Sequence, residues 1–322
     1  MSTKHTNLIV SSSPHVCDPV DTKTIMRDVV IALVPAFAVS CYVFGIKALI
    51  MVAVCVAACV LFEAACRKLL NRPQTIGDWS AVVTGVILAF NLPSTLPYWM
   101  AVIGCFVAIV IVKQLFGGLG QNFANPAIVG RIVLFIAFAT PMTNWEITPR
   151  MSSVIREAAG ADAVTGATPL GLLNKGIEVP VNDMAIGFIN GSLGEISAVA
   201  LLLGGIYLIY RKVITWEIPV AFLATVAVLA VLMGQNPLFH LCAGGAMLGA
   251  FFMATDYVTS PMTGKGKLIF GIGCGIMTML IRQFGSYPEG VSFAILLMNI
   301  LTPHIDNWTK TKLNGVQNGG AK

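Results

Sequence analysis

The run DAVTGATPL (162–170) sets Thr165 and Thr168 on either side of Gly166-Ala167, with Asp162 six positions before Thr168. Short polar residues of this kind build tight turns, and a threonine ahead of a proline caps the helix that follows. They also meet the needs of covalent attachment. A threonine hydroxyl is a group to which something can be attached, and Gly166 and Ala167 leave room around it. Such chemistry calls for an exposed hydroxyl outside the membrane.

A second constellation joins Asn122 and Asn125 of GQNFANPAIVGR (120–131) to Asp256 and Tyr257 of ATDYVTSP (254–261). Asn-Pro starts turns and helices, and an aspartate can simply cap a helix end. Within a membrane span, however, an ionisable residue is a functional candidate, and amides suit the donor–acceptor edge of a heterocycle. Glu63 and Arg131 are expected near cytoplasmic helix ends, snorkelling or paired, and His240 at the outer interface. The eight cysteines form no C-x-x-C pair and read as small buried thiols, with no iron–sulfur cluster expected from this chain alone. GGLGQN (117–122) lacks the dinucleotide fingerprint, so NAD is expected elsewhere.

The elements that must position these residues are membrane helices. Of 322 residues 56% are hydrophobic and only 11% charged, against roughly 25% charged in soluble proteins. This excludes a soluble multidomain protein, and the net charge of +5 reads as a topology signal rather than as affinity for nucleic acid. Apolar runs near 28–45, 48–66, 79–95, 98–113, 126–140, 196–211, 218–235, 238–256, 267–282 and 289–303 give about ten spans. Several fall short of the ~20 residues of a full crossing, and NLPSTLP (91–97) and QNFANPAIVG (121–130) are the expected breaks. With the N-terminus inside, Lys and Arg divide fifteen to five in favour of the cytoplasm. The polar lead-in is not a secretory signal.

The chain also resembles itself. YWMAVIGCFVAIVIVKQLFGG (98–118) and KLIFGIGCGIMTMLIRQFGS (267–286) share I-G-C and a basic residue, Gln and Phe-Gly at the end. Five spans per copy make the two copies inverted, which puts a site at the midplane between them. The expected organisation is a cytoplasmic segment 1–27, repeats 28–140 and 196–303, an extracytoplasmic loop 141–195 and a cytoplasmic tail 304–322.

D-x-x-(S/T)-G-A-T resembles the acceptor motif of flavin transferases of the ApbE type, which move FMN from FAD onto the last threonine. Together with GQNFANPAIVGR, ATDYVTSP and the lead-in SPHVCDPVDTKTIMRDVVIALVPA (13–36), it makes the whole chain similar to one membrane-subunit family. Its members serve the Rnf ion-translocating ferredoxin:NAD⁺ oxidoreductase and the sodium-pumping NADH:quinone reductase. The longer N-terminal extension usual in the quinone-reductase member is not in this sequence, which favours the Rnf type. The resemblance implies an all-α polytopic membrane protein of bacteria or archaea with a urea-transporter-like inverted repeat. It implies covalent FMN on Thr168, with Asp162, Thr165, Gly166 and Ala167 as the attachment motif. It implies a second, non-covalent flavin such as riboflavin near Asn122, Asn125 and Asp256. Implied partners are the other Rnf subunits (A, B, C, E and G) and the flavin transferase, with NAD and ferredoxin bound by other subunits and no activity complete in this chain alone. The alternatives are a quinone-reductase component and a solute channel without a redox role.

Overall fold

The computed structural model describes residues 21–160, 165–285 and 290–310; Asp162 and Cys17 lie outside the described residues. The chain runs through α1 (Thr22–Phe44), α2 (Ile46–Leu69), α3 (Ser80–Phe90) and α4 (Tyr98–Phe106), which a π-helical stretch, Val107–Gln114, continues. Next come α5 (Pro126–Ala137), α6 (Ala139–Met142), α7 (Ser153–Ala159), α8 (Pro169–Leu173) and α9 (Val181–Ile186). The second half holds α10 (Ala198–Tyr210), α11 (Glu217–Leu232), α12 (Pro237–Cys242) and α13 (Ala246–Leu248), which a second π-helical stretch, Gly249–Met253, continues. It ends with α14 (Gly264–Phe284) and α15 (Val291–Thr309). The described strands are β1 (Trp145–Glu146) and β2 (Thr165–Gly166), paired antiparallel. The protein is all-α and polytopic.

By length and composition α1, α2 and α14 can cross a membrane, while α3, α4 with its extension, α5, α10 and α11 are shorter apolar helices. Short helices are tolerated where protein rather than lipid meets their ends. Helices of the two halves pack alike: α2 lies on α4 as α11 lies on α14, and α4 meets α5 as α14 meets α15. The halves join where α1 faces α10 and α5 meets α15.

Three expectations are corrected. The run 238–256 is not one span, because Gly244 and Gly245, at φ +59° and +68°, turn the chain between α12 and α13. The segment 141–195 is not a bare loop: Met151, Ile155, Leu172 and Met184 make a buried layer of its short helices. Arg131 does not snorkel from a helix end, since it lies buried inside α5 and bonds to both halves of the protein. The cysteines follow their reading in part: Cys55, Cys59, Cys105 and Cys274 are fully buried, whereas Cys41, Cys66 and Cys242 are partly exposed.

The contact between α1 and α10 depends on a missing side chain. A Cβ at Gly204 would stand 2.2 Å from the Ala32 carbonyl oxygen, which is backbone and cannot rotate away. Gly204→Ala must therefore push the two helices apart. The expected cost is about 1–3 kcal/mol, read as a lowered unfolding temperature in detergent. Leu203→Ala, at a neighbouring side chain 57% exposed, should shift it far less.

Candidate functional site

The site is built by two helices that stop inside the membrane. With 11 residues α3 rises roughly 16 Å, about half of a ~30 Å hydrocarbon core. The backbone beyond it, and beyond Met253, must find its partners within the protein. It does so through side chains of both halves. Asn91, which caps the end of α3, donates to the Ile87 carbonyl (2.7 Å) and contacts the Met253 sulfur (3.6 Å). Its Oδ1 accepts from Arg131 (2.9 Å), which also reaches the Ser292 hydroxyl of α15 (3.0 Å).

Asn125 works from the other side of the break. Its Oδ1 accepts from the first free N–H groups of α5, Ala127 (3.0 Å) and Ile128 (3.4 Å), while Nδ2 donates to the Met253 carbonyl (3.2 Å). The Asn299 amide, turned to satisfy both neighbours, donates to the Thr259 carbonyl (3.3 Å) and accepts from the Asn125 N–H (3.2 Å).

Against this knot lies a cavity of about 100 Å³ that opens to the surface. Its walls are mainly apolar, from Val29, Val83, Ile87, Leu208, Phe251 and Phe252. Asn122, Asn125 and Asp256, far apart in sequence, come together in its lining. Asn122 donates to the Ala124 carbonyl (3.0 Å), and the Asp256 carboxylate accepts from the Thr259 hydroxyl (3.1 Å). The two asparagines share a wall although residues 121–125 are not helical; it is the loop, not helical spacing, that aligns them. Tyr257 is exposed at the mouth, its hydroxyl donating to the Val213 carbonyl. Ser80, Thr84, Lys113 and Thr255 complete the polar lining. Sequence reasoning does not place Ser80 and Lys113 here, although the repeated ending Lys/Arg-Gln-Phe-Gly marks Lys113.

The threonine motif lies elsewhere. Gly166 pairs with Trp145 in the β1–β2 ladder, and Thr165 is exposed. Thr168, expected to be exposed, is buried: its Oγ1 caps α8 by accepting from Gly171 N–H (3.3 Å). Asn190 holds the Ala167 carbonyl (2.8 Å), and its own Oδ1, with Ser192 Oγ and Glu195 Oε2 from the same loop, is buried without a partner among the described residues. Leu170 packs onto Gly244, where the chain turns into α13. Residues 161–164, and Asp162 with them, are outside the described part. His240 is buried rather than interfacial, and its carbonyl, with that of Ala243, accepts from Arg282 at 2.7 Å.

These features accord with the kinship of the chain. The family model NQR2, RnfD, RnfE matches residues 9–315. One component of the Na⁺-translocating ferredoxin:NAD⁺ oxidoreductase complex of Acetobacterium woodii is 52% identical over 96% of each chain. A component of the proton-translocating ferredoxin:NAD⁺ oxidoreductase complex of Clostridium ljungdahlii is 46% identical over 94% of each. A component of the ion-translocating oxidoreductase complex of Halorhodospira halophila is 41% identical over 96% of each. With its helical order and its near full-length match, this chain belongs to the NQR2, RnfD, RnfE family.

Proposed function

We propose that this chain is an integral electron-transfer subunit of an ion-translocating ferredoxin:NAD⁺ oxidoreductase complex, in the bacterial or archaeal cytoplasmic membrane. Near full-length identity to components of complexes of that name supports the assignment. In this reading the pocket holds a non-covalent flavin and Thr168 carries FMN. The observation that carries it is the meeting of Asn122, Asn125 and Asp256 in one largely apolar cavity between the two halves. An isoalloxazine ring needs flat apolar walls and a few donors and acceptors at its edge, and Phe251, Phe252, Ile87 and the three polar residues are of those kinds. The flavins supply the redox chemistry; the protein sets their position and electrostatics.

The loop at Thr168 and the pocket are linked through α13. Leu170 meets Gly244 just before this helix, and Phe251 and Phe252 near the end of its π-helical continuation line the pocket. The rise from Gly245 to Phe252 is roughly 10 Å, well short of a full hydrocarbon core of ~30 Å. Electrons arriving at Thr168 thus have a carrier within the membrane to receive them. Attachment at Thr168 requires its buried hydroxyl, the cap of α8, to become accessible to the transferase, and its cap bond to Gly171 is worth only about 1 kcal/mol.

Three experiments test this reading. In protein produced with a flavin transferase, Thr168→Ala should abolish the flavin fluorescence of the denatured band while Thr165→Ala leaves it; an unmodified Thr168 in a peptide map overturns the attachment. The double change Asn122→Leu with Asn125→Leu should remove the flavin that acid releases from purified protein, since each lost bond to a buried ring edge costs about 1–3 kcal/mol. Release of a full equivalent from that variant would move the site elsewhere. A cysteine at Ser153, on a background without other thiols, should react with an impermeant reagent from outside only, in line with cytoplasmic termini. Labelling from the cytoplasmic face alone would reverse the orientation.

A further inference from the structure

Beside the pocket lies a buried ionic cluster that the function just described does not use. Glu63 of α2 is 0% exposed and Lys113, in the π-helical end of α4, is 2% exposed. Lys113 Nζ donates to Glu63 Oε2 (3.0 Å) and to Ser80 Oγ (2.6 Å). Glu63 Oε1 accepts from Gln114 (3.0 Å) and Thr75 (2.9 Å), with Arg67 Nε at 3.9 Å. Ser80 in turn donates its hydroxyl to Asp78 (2.6 Å).

Such a cluster is expensive to bury, and packing alone does not require it. Two features point it at the pocket. Lys113 and Ser80, bonded to each other, both line the cavity, while Glu63 does not. The partners are also unevenly divided: Glu63 is faced by two cations and two neutral donors, whereas Lys113 has one acid and one hydroxyl. The carboxylate therefore anchors the ammonium from behind and leaves the wall positive. Ser80 opens α3, so the same bond fixes the start of the helix whose Val83, Thr84 and Ile87 line the cavity. Asp256, on a different segment of the lining, places an acid in the same pocket.

We propose that Lys113 is a positioning residue for the pocket's occupant: anchored by Glu63 and Ser80, it presents a fixed positive charge that favours the electron-rich form of a bound redox-active ring. The inference rests on the reading of the pocket as a flavin site. A charge held in a wall of low dielectric acts strongly on a neighbouring ring, because water does not screen it. Adding an electron to the ring is then easier with Lys113 present than without it, and Glu63 weakens that effect. Two substitutions on one ion pair thus have opposite consequences, whereas a merely structural pair would give the same one for both.

The test is an equilibrium redox titration of the acid-releasable flavin in the intact complex, followed by its absorbance, with the released flavin quantified in parallel. Lys113→Met should lower the midpoint potential, Glu63→Gln should raise it, and Lys113→Arg, which keeps the charge, should hold it near the wild-type value. A wild-type potential in Lys113→Met, or shifts of the same sign in Lys113→Met and Glu63→Gln, overturns the role of Lys113 while leaving the flavin site standing. If the wild-type complex releases no flavin, the reading of the pocket fails and the inference with it. Should Lys113→Met not assemble, Glu63→Gln against Lys113→Arg still decides: a raised potential in the first and not the second supports the assignment, and an unmoved potential in Glu63→Gln overturns it.

Discussion

Backbone that leaves the helix inside a membrane has no water to bond with, and this constraint organises the protein. Helix α3 ends at Phe90 and the helical path through α13 ends at Met253. The adjacent Asn91 caps the first, donating to the Ile87 carbonyl and held in turn by Arg131, and Asn125, from far along the chain, donates to the carbonyl at the second. Loop 190–195 covers the end of α3, its Gly194 and Leu193 N–H groups donating to the carbonyls of Phe90 (2.8 Å) and Leu92 (3.1 Å). The two halves cannot separate without exposing these groups in hydrocarbon. Breaking the helices leaves room for a cavity at the interface; satisfying the breaks lines it with amides.

The basic residue that ends each copy of the repeated motif shows how the same solution is used twice. Lys113 bonds to Ser80, the first residue of α3. Arg282, its counterpart in sequence, bonds to the carbonyls of His240 and Ala243, just ahead of α13. In both halves the end of the fourth helix thus fixes the start of the interrupted third. The two differ in what the charge meets. Arg282 takes up carbonyls where α12 ends, but Lys113 is held by the carboxylate of Glu63 beside the pocket.

Much of this is legible in the sequence, because membrane physics writes itself into composition. Apolar runs mark the helices, NLPSTLP and QNFANPAIVG mark the breaks, and α5 does begin at Pro126 with Asn125 as its cap. The meeting of Asn122, Asn125 and Asp256 could be expected from the resemblance alone, since no local pattern reports a contact across more than a hundred residues. What local reading misses follows the same logic. The run 238–256 is mostly apolar, so hydropathy reads it as one helix; the left-handed Gly244-Gly245 pair interrupts it. Arg131 looks like an interfacial charge because its acceptors, Asn91 and Ser292, lie on other helices.

The burial of Thr168 is hidden for a related reason, and it bears on how the two sites are joined. A threonine before Pro169 serves a helix cap and a modifying enzyme equally well, and sequence cannot say whether the cap is packed away. Here Leu170 and Leu172, immediately after it, are buried, and Leu170 rests on Gly244. The loop is therefore pressed against the start of α13 by the same residues that hide the hydroxyl. A loop free in solvent would present Thr168 more readily but would leave any group attached there at no fixed distance from the pocket. Packing the cap against the start of α13 ties the threonine motif to the helix whose far end lines the cavity, so that position is gained at the expense of access.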